Sequence, residues 1–421
     1  MIQIYELMPG VTLRIFADSR FKQGCLSFHV VRLMAAQETA MNALLPTVLL
    51  RGTREYPDLR AITLHLDDLY GASVSASVRR VGDYQTTGLH CSFMEDRYAM
   101  DGDEILAPMV DFLRQLLLEP VLEDGGFSAE FVESEKKNLI STIESELNDK
   151  RIYASAQLLK TMCPRDAFGI PRLGDRAGVE QVDAKSLYRH YQRILKESRI
   201  ELFYVGSAAP EKIIPLLKGM LAGIDRCYVN LPAQTAFHDA GGHHAREEMD
   251  ITQSKLCMGF TTPITNRTED FAAMQLLNTI FGAGMTSKLF VNVREKMSLC
   301  YSIGSGYYST KGIVTVSAGI DCAQEETVRR EILRQLQLCK DGCITQEELT
   351  AAREAVLSGL RTVHDSPSAI EGYHSTAAIS GLCLELEEYR RAVRAVSIAD
   401  VVAAAKTLQL HSSFFLQGVG Q

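Results

Sequence analysis

The segment FGAGMTSKLFVNVREKMSLCYSIGSGYY, residues 281–308, joins a glycine-bounded turn to a helical pattern and then to a strand pattern. Phe290, Val293 and Met297 recur at three- and four-residue spacing, which places their side chains on one face of a helix. This spacing predicts a helix over 285–297 that packs its apolar face against the core. A strand is predicted to follow the helix directly.

Two polar side chains lie where this predicted helix gives way to the strand. Arg294 stands near the end of the helix, and after a break near Ser298 the strand is predicted to begin around Cys300 and Tyr301. The chain thus presents an arginine and a tyrosine close together at the edge of a packed layer. From residue chemistry alone two interpretations stay open, because an arginine in an ordinary ion pair beside a half-buried strand tyrosine fits the same pattern.

The whole string resembles the second-half signature of the pitrilysin/insulinase-type metallopeptidases, the M16 family. The shared features are a glycine turn, then S-K/R-L-F, then R-E-K, then L-x-Y-S. In that family the arginine and tyrosine of this segment bind the backbone of the peptide substrate near the zinc ion. The resemblance therefore implies that Arg294 and Tyr301 are substrate-binding residues. It covers essentially the whole chain, including LLRGT at 49–53, TQSKLCMGF at 252–260 and the helix at 133–149.

The order of predicted elements repeats along the chain. Each half reads as a strand, two helices, a hairpin and further helices, which is what an internal duplication predicts. Hairpins beside helices, without regular βαβ alternation, indicate an α+β fold with mainly antiparallel sheets packed with helices. We therefore predict two homologous domains, residues 1–223 and 249–421, which is also the architecture of the M16 family. Residues 224–248 lack sustained periodicity and are predicted to be the linker.

The first half lacks the zinc-binding motif that the resemblance leads one to expect. Active members of the family carry H-x-x-E-H just before a segment like VLLRGT, and its two histidines bind zinc while the glutamate acts as general base. Here Ala43 and Thr47 occupy the histidine positions, and Pro46 occupies the position of the base. None of these side chains can take the role. A proline inside the helix should also bend it, because it removes a backbone donor.

The remaining metal ligand is missing as well. Aligning the long helix places Thr142 at the third ligand position, although Glu144 lies two residues further on. No two of the ten histidines are three or four residues apart, and only His243 and His244 are close in sequence. Cys339 and Cys343 lack two further soft ligands nearby. We therefore predict no catalytic residue, metal site or cofactor on this chain itself.

Composition argues against several other classes of function. The net charge is −8 and no cluster of lysine or arginine could follow a phosphate backbone, which argues against nucleic-acid binding. No apolar stretch approaches the roughly 18 residues that a membrane span needs, and no signal-peptide pattern opens the chain. We expect a cytoplasmic protein without membrane contact, whose ten cysteines are reduced.

The retained arginine–tyrosine element and the absent zinc element together suggest one function. The resemblance implies a non-catalytic subunit of a two-chain zinc peptidase, in which a partner chain bearing H-x-x-E-H holds the zinc. We expect a heterodimer with that partner and a peptide substrate, with a homodimer as the alternative for the isolated chain. Three other functions stay open: an inert scaffold, as in respiratory-complex core subunits of this superfamily, a protein that captures peptides without cleaving them, and an independent hydrolase with an unrecognised site.

Overall fold

The computed structural model describes residues 2–235, 237 and 241–419. The strands are β1 Gln3–Met8, β2 Val11–Ala17, β3 Gln23–Leu33, β4 Ser73–Val81, β5 Tyr84–Met94, β6 Leu122–Glu123, β7 Gly126–Phe127, β8 Arg199–Gly206, β9 His244–Met249, β10 Ser254–Thr261, β11 Ser302–Tyr308, β12 Ile313–Ile320 and β13 Gln409–Gly418. Strands and helices alternate irregularly, as expected for an α+β fold.

The α-helices are α1 Ala36–Leu49, α2 Leu59–Asp68, α3 Leu106–Leu118, α4 Ala129–Asn148, α5 Lys150–Met162, α6 Arg176–Glu180, α7 Ala184–Glu197, α8 Pro210–Leu221, α9 Phe271–Phe281, α10 Glu325–Lys340, α11 Gln346–Arg361, α12 Pro367–Ser380, α13 Leu386–Ala395 and α14 Ile398–Thr407. A π-helix spans Leu289–Lys296, and short 3₁₀ turns occupy Asp96–Tyr98, Ala167–Gly169, Cys322–Gln324 and Thr362–His364. Within the described part of the chain, no helix combines the length and apolarity needed to cross a membrane.

The chain folds into two compact units, and each is discontinuous in sequence. Unit 1 comprises Met1–Glu144, Ile170–Ala233 and Val363–Ile379, and unit 2 comprises Ser145–Gly169, Gln234–Thr362 and Ser380–Gln421. The predicted division into 1–223, a linker at 224–248 and 249–421 concerns homologous halves rather than compact units, and it stays a prediction. The end of the predicted linker forms strand β9.

The two large sheets share one topology. The sheet of unit 1 has the order β1-β2-β8-β3-β5-β4, and the sheet of unit 2 has the order β11-β12-β10-β13-β9. Read from its other edge and without β1, the first order is β4-β5-β3-β8-β2. Strands β2, β3, β4, β5 and β8 then correspond to β9, β10, β11, β12 and β13, and the two orders are the same. Within the described residues each of these sheets has one parallel pair, β2 with β8 and β9 with β13, and the other pairs are antiparallel. The predicted α+β class with mainly antiparallel sheets is confirmed.

Each half of the sequence contributes one helix to the sheet of the other half. Helix α5 comes from the first half, yet its residues Ala154 and Leu158 share a buried cluster with Cys257 of β10. Helix α12 comes from the second half, and its Ile370 is buried with Cys25 of β3. This reciprocal exchange explains why the compact units are discontinuous.

Helix α1 continues through the proline that replaces the expected zinc-motif glutamate. Pro46 has no N–H group, so the carbonyl of Asn42, one turn earlier, loses its helical donor. The hydroxyl of Thr87 on β5 donates to that carbonyl at 2.5 Å. The neighbouring strand thus replaces the hydrogen bond that proline removes, and the zinc-motif position has become part of the packed core.

We expect Thr87→Val to destabilise the fold by about 1–3 kcal/mol, because it leaves the buried Asn42 carbonyl without a donor while preserving shape. The measurement is urea unfolding of the full chain. Thr63→Val is the matched control, since the exposed Thr63 hydroxyl donates to a carbonyl of its own helix at 2.8 Å. Equal losses in the two variants would contradict the compensating role of Thr87.

Candidate functional site

The helix that carries Arg294 is a π-helix rather than the predicted α-helix. The N–H of Met297 donates to the carbonyl of Asn292 at 3.2 Å, a five-residue step. The wider turn alters which side chains face the core. Leu289 and Val293 are fully buried, but Met297 is 45% exposed. The predicted apolar face was therefore wrong at Met297, because that face assumed α-helical spacing.

Tertiary hydrogen bonds hold the π-helix in place. The side chain of Asn292 donates to the buried Gln335 of α10 at 2.8 Å, and Gln335 in turn donates to Glu331 at 2.6 Å. Lys288, one residue before the π-helix, pairs with Glu348 at 2.7 Å. π-Turns often occur at functional sites because they re-aim side chains. These contacts fix the segment that presents Arg294.

A glycine lets this segment lie close against β11. A Cβ atom at Gly282 would come within 2.6 Å of the Ser305 hydroxyl and 2.8 Å of Leu289. The N–H of Ser305 donates to the Gly282 carbonyl at 3.0 Å. The glycine of the sequence signature is thus required for packing against the edge strand.

The chain then turns sharply between the π-helix and β11. Ser298 adopts a left-handed conformation with φ of +52°, and its N–H donates to the Arg294 carbonyl at 3.1 Å. Such a conformation is uncommon for residues other than glycine and often marks functional segments. The turn places Tyr301 one residue before β11, where its N–H donates to the carbonyl of Gly319 at 2.9 Å.

Arg294 and Tyr301 line one open cleft of about 440 Å³ in unit 2. Ser298, Cys300 and Asp321 also line it. The structure therefore brings the two predicted site residues together on one surface, beside the start of the edge strand of the sheet. This agrees with the placement expected from the sequence, namely two polar groups at the edge of a packed layer.

The two side chains differ in their surroundings. Tyr301 is 60% exposed, and its hydroxyl donates to Asp321 at 3.1 Å. This hydrogen bond raises the pKa of Tyr301 above its usual value, so the hydroxyl stays protonated and can donate. The Arg294 guanidinium lies 4.6 Å from the centre of the Phe290 ring and 3.4 Å from the Glu295 carboxylate. Both side chains can offer donors to a ligand in the cleft.

Cys300 does not supply a nucleophile to this cleft. Burial raises the pKa of its thiol to about 11, and the nearby positive charge of Arg294 only partly opposes this effect. The thiol therefore stays protonated at neutral pH, and a protonated thiol is a weak nucleophile.

A second open cleft adjoins the first at Tyr301 and has a volume of about 790 Å³. It is lined by Tyr301 and Ser302, by residues 250–253 before β10, by Lys255 on β10, and by residues 148–151 at the start of α5. Lys255 was not among the residues predicted to form a site. The signal that could have marked it is a lysine among the apolar residues of TQSKLCMGF.

The positions of the missing zinc motif are structural. Ala43 is 3% exposed, and the Thr47 hydroxyl donates to the carbonyl of Leu44 at 2.9 Å within α1. On α4, Thr142 donates to the carbonyl of Asn138 at 2.9 Å, and Glu144 pairs with Arg176 at 2.7 Å.

One of the two adjacent histidines, His244, also has a partner within the protein. His244 begins strand β9, and its Nδ1 lies 2.8 Å from the Ser413 hydroxyl. His238 lies outside the described residues. Over 2–235, 237 and 241–419, no three or more side chains of histidine, cysteine, aspartate or glutamate are grouped so that they could hold a metal ion.

Comparison with known proteins agrees with this geometry. Residues 181–356 match the family described as "Peptidase M16 inactive domain". The chain is also 27% identical over 409 residues to the "Probable inactive metalloprotease YmfF" of Bacillus subtilis, covering 97% of this chain and 96% of the relative. These matches support an inactive M16-type protein. The resemblance predicted from residues 281–308 is confirmed, and the match to proteins described as inactive accords with the absent H-x-x-E-H motif.

Solved structures share the M16 fold over the full chain. A conserved protein from Enterococcus faecalis V583 superposes with a TM-score of 0.93 at 28% identity, covering 100% of this chain and 99% of that one. A peptidase M16 inactive domain from Pseudomonas fluorescens superposes with a TM-score of 0.81 at 16% identity, covering 99% and 98%. The second likeness shows the fold alone, whereas the first combines fold with sequence similarity.

Proposed function

We propose that this M16-type chain is the non-catalytic subunit of a two-chain zinc peptidase. Arg294 and Tyr301 would bind the backbone of a peptide substrate. A partner chain bearing H-x-x-E-H would hold the zinc ion and the general base. The observation that carries the proposal is the shared cleft of Arg294 and Tyr301 beside an edge strand.

The cleft chemistry supports a role in binding a peptide carbonyl. A guanidinium offers several fixed donors and a positive charge, and a protonated tyrosine hydroxyl offers one more donor. Strand β11 lies at the edge of its sheet, so a peptide can add to it as a further strand. The backbone N–H of Ser305 in β11 already donates to the Gly282 carbonyl. The residues near Tyr301 are therefore the better place for a peptide to begin pairing with β11.

In this mechanism the chain positions the peptide and stabilises negative charge. Arg294 and Tyr301 donate to the carbonyl oxygen next to the scissile bond, and their donation strengthens as that oxygen becomes an oxyanion. The Tyr301 hydroxyl exchanges its hydrogen bond to Asp321 for one to the substrate. A zinc ion held by the partner chain would supply the activated water for hydrolysis.

The partner and the location belong to the same proposal. We infer a heterodimer with a similar-sized M16 subunit in the cytoplasm, and a homodimer where that subunit is absent. The described helices include none that could cross a membrane, which is compatible with such an assembly. The net charge of −8 and the lack of a basic cluster give no support for nucleic acid as a ligand.

The test is isolation of the tagged chain from its native host, followed by zinc analysis and a peptide-cleavage assay. We expect a copurifying chain with H-x-x-E-H, zinc in the complex, and cleavage that needs both chains. Recovery of the chain alone, zinc-free and inert in cleavage, would overturn the proposal. Peptide affinity without cleavage would then indicate a capture protein, and absence of peptide affinity would indicate a scaffold.

A further inference from the structure

The cleft beyond Tyr301 holds a buried positive charge for which the proposed function gives no role. Lys255 is 8% exposed and lines this cleft of about 790 Å³. Its ammonium group donates to the neutral side chain of Gln253 rather than to a carboxylate. Burying a charge without a hydrogen-bonded carboxylate is costly, so such a group favours an anion close to it.

Lys255 projects from the same face of the sheet as Ser302, the first residue of edge strand β11. Lys255 of β10 pairs directly with Gly319 of β12, and Gly319 pairs directly with Ser302 of β11. Directly paired residues project to one face of a sheet, so the three positions form a row. Because neighbouring strands lie about 4.8 Å apart, the row spans roughly 10 Å.

A glycine keeps the middle of this row open for polar groups. A Cβ atom at Gly319 would lie 2.7 Å from the Gln253 side-chain oxygen and 2.9 Å from the Ser302 hydroxyl. Any larger residue would displace both groups. The floor of the cleft therefore presents an amide and a hydroxyl beside the lysine ammonium, which together can hydrogen-bond a carboxylate.

The start of α5 adds positive charge on another wall. Lys150 and Arg151 line the cleft, together with Asp149 and Asp250. The Asp149 carboxylate is already engaged, since it accepts from the Arg151 backbone at 2.9 Å and from its guanidinium at 2.8 Å. Burial, together with the positive charge of Arg151, lowers the pKa of Lys255, and the Asp149 carboxylate only partly opposes this effect. The negative charge of an incoming carboxylate would offset both unfavourable effects.

We propose that this cleft is a subsite that binds a carboxylate of the peptide, with Lys255 as the residue that determines specificity and Ser302 and Gln253 as further donors. The carboxylate comes from an acidic side chain or from the peptide C-terminus. The inference rests on the proposed function, because it assumes that a peptide occupies the adjoining Arg294–Tyr301 cleft. It adds a preference for acidic peptides to that function.

The experiment is a fluorescence-anisotropy titration of the full chain with labelled decapeptides. One arm compares peptides that carry glutamate or glutamine at each position in turn, and the other compares a C-terminal acid with an amide. We expect the carboxylate form to bind about tenfold or more tightly in one of the two arms, as for a hydrogen bond between charged groups. In Lys255→Met that ratio should fall to about one.

Matched variants separate this inference from the proposed function. Lys160→Met, on the exposed part of α5, should leave the ratio unchanged. Arg294→Ala and Tyr301→Phe should weaken both members of each peptide pair equally, so the ratio survives even when affinity falls. A ratio of one in wild-type chain, alone and with its copurified partner, overturns the carboxylate subsite. A ratio that persists in Lys255→Met overturns the role of Lys255.

Discussion

Arg294→Ala is expected to lower kcat of the assembled two-chain peptidase by about 10²–10³-fold, the usual cost of removing one oxyanion donor. Tyr301→Phe should have an effect of the same order, because it removes only the hydroxyl that donates. KM should change less than kcat, since the lost hydrogen bonds strengthen in the transition state. Steady-state kinetics on the reconstituted pair of chains measures both constants.

Matched substitutions test whether the effect belongs to these positions. Arg330→Ala removes an exposed arginine of α10, and Tyr308→Phe removes a hydroxyl at the far end of β11. Both should leave kcat within about twofold of wild type, since surface changes away from a site have small effects. Size-exclusion chromatography should show intact assembly in all four variants. Full turnover in Arg294→Ala and Tyr301→Phe would remove both residues from the mechanism.

The placement of the candidate site residues was predictable as far as local sequence determines it. The glycine turn, Arg294 and Tyr301 lie within one short segment, and their neighbourhood follows from the chain reversal at Ser298. The repeated order of strands and hairpins also predicted two similar sheets, because hydrophobic alternation and turn residues are local signals. The common strand order of the two sheets is the structural counterpart of that repeat.

Features that depend on distant residues were not predictable. The π-helix depends on the bond between Asn292 and Gln335, which lie 43 positions apart, so an α-helix was the reasonable expectation. The exchange of α5 and α12 between sheets has no local signature, because the sheet that each helix packs against is determined by contacts with strands distant in sequence. The proposed role of Lys255 was not predictable, because it depends on Gly319 and Ser302, which approach Lys255 only through strand pairing.

Helix α12 is attached to the sheet of unit 1 by a buried carboxylate. Glu371 is fully buried, and one of its oxygens lies 2.9 Å from both the Ser27 hydroxyl and the His29 Nε2. Its other oxygen lies 3.4 Å from the Arg79 guanidinium. These partners come from β3 and β4, so a single side chain joins a helix of the second half to strands of the first. Burial by itself would raise the pKa of Glu371. Its hydrogen bonds and the charges of His29 and Arg79 outweigh this effect and lower the pKa to about 2.

Glu371→Gln should therefore lower the free energy of unfolding by about 3 kcal/mol near neutral pH, since a pKa shift of one unit corresponds to about 1.4 kcal/mol. The sign follows from the lowered folded-state pKa. The contribution of the carboxylate is complete above its unfolded pKa of about 4.5 and is lost as pH falls toward the folded value of about 2. The difference in unfolding free energy between wild type and Glu371→Gln should accordingly shrink in acid, which urea unfolding at about pH 7 and about pH 3 can measure.

Glu180→Gln is the control, because Glu180 forms an exposed pair with Arg176 that contributes at most about 1 kcal/mol. A loss in Glu371→Gln that is small at neutral pH, or that does not diminish in acid, would show that apolar packing rather than the buried carboxylate holds α12 on the sheet.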